Sequence, residues 1–136
     1  MDLADTLVMM GKKVLAPVLT DGHGRPLNEP AWAWYDSKNV RTGLWQIPEP
    51  VAPSLPASAI DQVEVVLCSA LFVDRSGYRV GVGGGWYDRV LTYRACDVPV
   101  WAVVNDDEIL DEVPHDPWDE PVTAALTPSG LHLLGQ

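Results

Sequence analysis

The chain is short of positive charge and of cysteine, and it has no apolar run long enough to cross a bilayer. Nine Lys and Arg against nineteen Asp and Glu leave a formal net charge of −10. That balance repels a polyphosphate backbone and argues against nucleic acid as the main partner. Of the two cysteines, Cys68 lies inside the apolar run Val63–Val73 and Cys96 stands alone. Neither has metal-ligand spacing, and the chain reads as a protein of a reducing, cytoplasmic compartment. His23, His115 and His132 show neither zinc nor triad spacing and read as surface or loop residues. The stretch Leu3 to Met10 is too short for a membrane span and runs directly into Gly11-Lys12-Lys13, so no membrane partner is expected. Both familiar glycine-loop fingerprints are also missing. A dinucleotide pattern starting at Gly81 needs glycine where Trp86 stands, and the P-loop pattern needs Lys-Ser or Lys-Thr after its last glycine.

What is present is a glycine-dense segment with basic surroundings. Four of the five residues from Gly81 to Gly85 are glycine. Such a stretch lets the backbone approach a ligand with no Cβ in the way, so that successive amides converge on phosphate oxygens. The segment after it, from Trp86, then starts a helix whose positive end faces the same point. Residues 75–94 carry Arg75, Arg79, Arg89 and Arg94 against one acid, Asp88, in an otherwise acidic chain. On the residues alone, the segment is an anion-binding loop or a tight turn without a ligand.

At 136 residues and 47% hydrophobic content, the chain supports one domain with a single core. The order of elements reads as α/β. Helical spacing of Leu3, Leu7 and Met10 predicts a first helix stopped by Gly11. Val14–Leu19 predicts a buried strand, and residues 20–62, rich in proline and turn formers, an irregular region with a short hairpin around Trp32–Tyr35. The run Val63–Val73 predicts a central strand covered on both faces. Trp86–Tyr93 predicts a helix and Val98–Val104 a further strand, in a parallel strand-helix-strand crossover. The acid-dense tract Asp106–Glu120 holds eight Asp or Glu residues, most of them expected to be solvated.

The segment Arg79-Val80-Gly81-Val82-Gly83-Gly84-Gly85-Trp86-Tyr87-Asp88-Arg89 resembles the signature of the 5-formyltetrahydrofolate cyclo-ligase (methenyltetrahydrofolate synthetase) family, usually Arg-Leu-Gly-Tyr-Gly-Gly-Gly-Tyr-Tyr-Asp-Arg. Other stretches resemble the family in order: Gly11–Pro17, Trp45–Pro50 as its Ile-Pro-Glu-Pro turn, Trp118–Val122 as its His-Asp-x-Pro segment, and Leu126–Gly130 as its closing Thr-x-x-Gly. The departures are Trp118 for His, Ser69-Ala70 for Pro-Gly, Val82 for an aromatic, Trp86 for Tyr and Glu108 for Gln. Met1 stands where the family has Val or Ile, after two helices and a first strand, so the resemblance implies an N-terminally truncated or mis-started sequence.

The resemblance implies a three-layer, Rossmann-like, mostly parallel sheet with helices on both faces. It implies ATP- and Mg2+-dependent closure of 5-formyltetrahydrofolate to 5,10-methenyltetrahydrofolate with release of ADP and phosphate. The formyl oxygen attacks the γ-phosphoryl group, N10 attacks the resulting imidate phosphate, and phosphate leaves. Arg79 and Tyr87 are implied as catalytic. ATP is implied on Arg79, Gly81, Gly83, Gly84, Gly85, Trp86, Tyr87 and Asp88, the folate on Trp45, Ile47, Pro48 and Glu49, and Mg2+ on Asp88 and Asp119. The alternative is an inactive nucleotide- or folate-binding remnant. The family's first helix supplies Lys and Arg to the phosphates, and a Glu just ahead of the segment matching Met1 touches the folate. A monomer or weak self-association is expected, since an uncovered sheet edge favours association.

Overall fold

The first helix ends as the sequence demands. In the computed structural model, which describes residues 3–21, 23–43, 48–81 and 86–135, α1 spans Leu3–Met9. Gly11 takes φ +84°, its amide bonds the Val8 carbonyl at 3.0 Å, and the Lys12 amide bonds the Leu7 carbonyl at 3.0 Å. This is the paired 5→2 and 6→1 closure that glycine permits at a helix end. The chain divides into two compact units, Met1–Ala59 and Ile60–Gln136.

In the first unit, β1 (Leu15–Thr20) pairs antiparallel with β2 (Pro26–Trp34), with a register shift between Val18 and Thr20. Next come β3 (Val40–Thr42) and β4 (Pro48–Pro50), which form an antiparallel pair with Arg41 opposite Glu49. A short β5 (Leu55–Pro56) lies on the other side of β2. Val18, Trp32 and Ala33 are buried here, and the Trp32 indole donates to the Ala57 carbonyl at 3.2 Å. Within residues 20–62, expected to be mostly irregular with a short hairpin around Trp32–Tyr35, antiparallel strands occupy 26–34, 40–42, 48–50 and 55–56, and Trp32–Trp34 is the end of β2. In β2 the buried residues are Pro30, Trp32 and Ala33, and Pro26 stands at the strand's first position, where proline is tolerated.

The second unit opens with β6 (Val66–Ser69), then β7 (Phe72–Asp74) and β8 (Arg79–Val80). It continues with α2 (Trp86–Val90), a 3-10 turn at Leu91–Tyr93, β9 (Val100–Val103) and β10 (Ile109–Leu110). It closes with β11 (Ala124–Thr127) and β12 (Gly130–Leu133). Strands β6, β9 and β11 are parallel, and β12 returns antiparallel on β11, in the order β12-β11-β9-β6. The expected parallel pairing of β6 with β9 around α2 is therefore present. A second sheet, β10-β7-β8, is mixed. The protein is α/β with small mixed sheets.

One expected element is corrected. The run Val63–Val73 is two strands, because the chain bends at Ala70-Leu71 and the Leu71 amide bonds the Val80 carbonyl at 2.8 Å instead of continuing beside β9. Among the described residues β6 is an edge strand of its sheet, with Val66 and Cys68 buried and Leu71 and Phe72 exposed. A continuous apolar stretch does not distinguish one doubly covered strand from two short ones.

The β7–β8 turn is built around a buried carboxylate. Asp74 is 1% exposed. Its Oδ1 accepts the amides of Ser76 and Tyr78 at 3.0 Å each, and its Oδ2 the amide of Val113 at 3.1 Å. Gly77 completes the turn at φ +99°, where an added Cβ would lie 2.3 Å from the Val122 carbonyl oxygen. Gly77→Ala is expected to destabilise the protein by more than about 1 kcal/mol, because both φ and space forbid the methyl. Denaturant unfolding checks this, and an unchanged midpoint would contradict the turn as described.

Candidate functional site

The second unit gathers Arg79, Tyr87 and Asp88 at the carboxyl end of β6. Arg79 comes from β8, and α2 carries the other two in its first turn. The Arg79 side chain is only 10% exposed while that of Asp88 is 73% exposed, and Nη2 stands 3.2 Å from Oδ1. The guanidinium carbon lies 5.4 Å from the centre of the Tyr87 ring, within cation–π range. Trp86 meets Tyr87 edge to face at 5.1 Å. Burial pushes the half-buried Tyr87 hydroxyl above its ordinary range, opposed by hydrogen bonds with Ser69, the last residue of β6.

Gly81 also makes room within the protein. It does not take a positive φ; an added Cβ would lie 3.2 Å from Arg79 Nη1, so its missing side chain leaves room for the guanidinium. Gly83, Gly84 and Gly85 lie outside the described residues.

Asp119 sits on a separate turn, where its Oδ2 accepts the Asp116 amide at 2.8 Å. Among the described residues, no group of three or more His, Cys, Asp and Glu is placed to hold a metal ion. The half-free, exposed Asp88 carboxylate fits the one or two carboxylates that Mg2+ takes beside water and phosphate oxygens. Such a site needs no larger cluster.

Cys68 lies beneath this group. It is fully buried, and burial pushes its thiol up from 9.0 to about 11, with Arg79 pulling the other way and Asp88 adding to the rise. The unfolded chain thus loses this proton first, so the thiol's contribution to stability is complete below pH 9 and declines as pH rises towards 11. Cys96 is exposed. At pH 8 a disulfide reagent is expected to titrate one fast thiol, Cys96, and to reach Cys68 only on unfolding. Any fast equivalent in Cys96→Ser would contradict the burial.

In the first unit, Trp45 and Ile47 of the expected folate-side group lie outside the described residues. Pro48 is exposed on β4, and Glu49, next in line, is 1% exposed. Glu49 Oε1 accepts the Leu19 amide at 2.8 Å and Oε2 the Thr20 hydroxyl at 2.8 Å. Arg41 approaches Oε2 through Nη2 at 3.3 Å and Nε at 3.4 Å. Thr20 and Arg41 carried no signal in the sequence. Ser69 was visible only as a departure from Pro.

A guanidinium nearly excluded from water near the carboxyl end of a parallel strand, with an exposed carboxylate beside it, sits where ligands of α/β proteins commonly bind. Residues 1–128 match the 5-formyltetrahydrofolate cyclo-ligase family, and the chain belongs to it. It is 45% identical over 127 residues to the 5-formyltetrahydrofolate cyclo-ligase of Mycolicibacterium smegmatis, covering 93% of this chain and 65% of that one. It is 27% identical over 131 residues to the Escherichia coli K12 enzyme of the same name, covering 93% and 69%. Its fold resembles the solved 5,10-methenyltetrahydrofolate synthetase of Aquifex aeolicus with a TM-score of 0.75 at 23% identity, covering 97% of this chain and 63% of that one. The synthetase from Mycoplasma pneumoniae gives 0.60 at 14%, covering 97% and 62%. The chain thus spans about two thirds of the length of these relatives.

Proposed function

We propose that this protein carries out the ATP- and Mg2+-dependent conversion of 5-formyltetrahydrofolate to 5,10-methenyltetrahydrofolate, releasing ADP and phosphate. The observation that carries the reading is the Arg79 guanidinium, nearly excluded from water, beside an exposed Asp88 and directly ahead of the glycine loop. Catalysis of phosphoryl transfer is mostly positioning and charge compensation. In this reading Arg79 and the amides of Gly81, Gly83, Gly84 and Gly85 receive phosphate oxygens, while Trp86 and Tyr87 wall the site. Asp88 with Asp119 would hold Mg2+, which when bound neutralises phosphate charge. In the first unit Trp45, Ile47, Pro48 and Glu49 are read as the folate-side group, with Trp45, Ile47 and Pro48 as its apolar part. A flat ring fits flat aromatic and proline surfaces.

Both units are read as parts of one domain, whose sheet β12-β11-β9-β6 belongs to a three-layer, mostly parallel arrangement. A cytoplasmic location and a monomer or weakly associating form accompany the reading. Among the described residues no helix is long and apolar enough to cross a membrane.

The test is turnover of the purified chain with 5-formyltetrahydrofolate and Mg-ATP, followed by the absorbance of the methenyl product. Wild type is expected to turn over, and Asp88→Asn to lose on the order of 10²–10³ in kcat, the usual worth of one electrostatic group in such a site. Turnover unaffected by Asp88→Asn would remove Asp88 from the mechanism. No turnover, with ATP still raising the melting temperature, would make the chain a nucleotide-binding remnant.

A further inference from the structure

We infer that Glu49 is a positioning residue: its carboxylate is a clasp that fixes the β3–β4 pair on either side of residues 44–47 and does not itself meet the folate. The inference rests on the folate reading of Trp45, Ile47 and Pro48 given above.

Three strands converge on this carboxylate, all within the first unit. The end of β1 supplies the Leu19 amide and the Thr20 hydroxyl, each at 2.8 Å, and β3 supplies Arg41 at 3.3 and 3.4 Å. Arg41 Nη2 also donates to the Thr20 carbonyl at 3.4 Å, which closes the network on itself. A carboxylate has about four lone-pair sites, and here four N–H or O–H donors from β1 and β3 crowd it, one on Oε1 and three on Oε2. Glu49 is 1% exposed and Thr20 4% exposed, so a substrate would have to displace protein donors to reach Glu49.

Gly43 supports the same conclusion from the other side of residues 44–47. A Cβ there would lie 2.5 Å from both Cγ and Cδ of Glu49, so glycine is required by the buried side chain. Arg41 faces Glu49 across the β3–β4 ladder and Thr42 faces Pro48. Both ends of the segment bearing Trp45 and Ile47 are therefore set by the Glu49 carboxylate. Buried polar networks satisfied in this way fix geometry, and loss of such outer partners typically costs 10–100-fold in the function they support.

The experiment compares wild type, Thr20→Val and Glu49→Gln, all as the full chain. Thr20→Val is close in shape and removes one buried hydroxyl; Glu49→Gln removes the charge and keeps the length. In both variants KM for 5-formyltetrahydrofolate is expected to rise about tenfold or more, with kcat and the KM for ATP within about twofold of wild type. A rise in Glu49→Gln alone would make Glu49 a direct folate contact and overturn the inference. Lower melting temperatures with unchanged KM in both would reduce the clasp to a structural brace and also overturn it. Hydrogen exchange of the Leu19 amide in the unliganded protein is an independent readout. Exchange about tenfold faster in both variants supports the clasp, and unchanged exchange refutes it. A wild type that neither turns over nor binds 5-formyltetrahydrofolate would instead sink the functional reading, leaving the exchange result to judge the clasp.

Discussion

The arrangement of the second unit depends on holding one guanidinium out of water with a single, exposed carboxylate for a partner. Arg79 has a tenth of its side chain exposed, whereas Asp88 is largely in solvent. An ion pair with one member so exposed is worth little alone, about 0–1 kcal/mol. The rest of the compensation comes from the Tyr87 ring at 5.4 Å, a contact worth about 0.5–2 kcal/mol. The surrounding sequence serves that placement: Gly81 leaves the space, the β7–β8 turn delivers Arg79, and α2 presents Tyr87 and Asp88. Among the described residues this is the compensation that Arg79 has, and it is the ground on which phosphate is proposed there.

Two buried carboxylates set the scaffolding around the motifs. Asp74 collects three amides and fixes the turn that launches β8. Glu49 collects an amide, a hydroxyl and a guanidinium and fixes the β3–β4 pair. Removing one partner from such a site costs about 3–5 kcal/mol, whereas replacing the whole group with well-packed apolar residues is often neutral. Their use is thus better understood as specifying where neighbouring residues stand than as adding net stability. Glu49 belongs to a stretch that resembles a family motif, so part of that motif is structural.

Much of this was legible in the sequence where a local rule applied. Gly11 stopped α1 because a positive φ suits glycine, and β6 and β9 were readable as parallel partners from their apolar runs and the helix between them. Arg79 and Asp88 stood out by charge in an acidic chain. Long-range pairing was not legible. Nothing local to Val63–Val73 says that the chain bends at Ala70-Leu71 to meet β8, and the prolines of 20–62 hid short strands even though β2 and β4 each pair with the strand just before them. Glu49 entered as a site carboxylate through the family resemblance alone. Its burial depends on Thr20 and Arg41, brought to it only by the fold. Family membership adds the chemistry that spacing alone did not supply.

The central claim is that Arg79 is the group that receives phosphate. Calorimetric titration of Mg-ATP into wild type and Arg79→Met tests it most directly, with circular dichroism confirming that the variant is folded. The account predicts that Arg79→Met weakens Mg-ATP binding by at least about 30-fold, the low end of the ~2–5 kcal/mol lost when a buried charge loses its partner. Equal affinity in the two folded proteins would contradict it, and would place the nucleotide elsewhere than at Arg79.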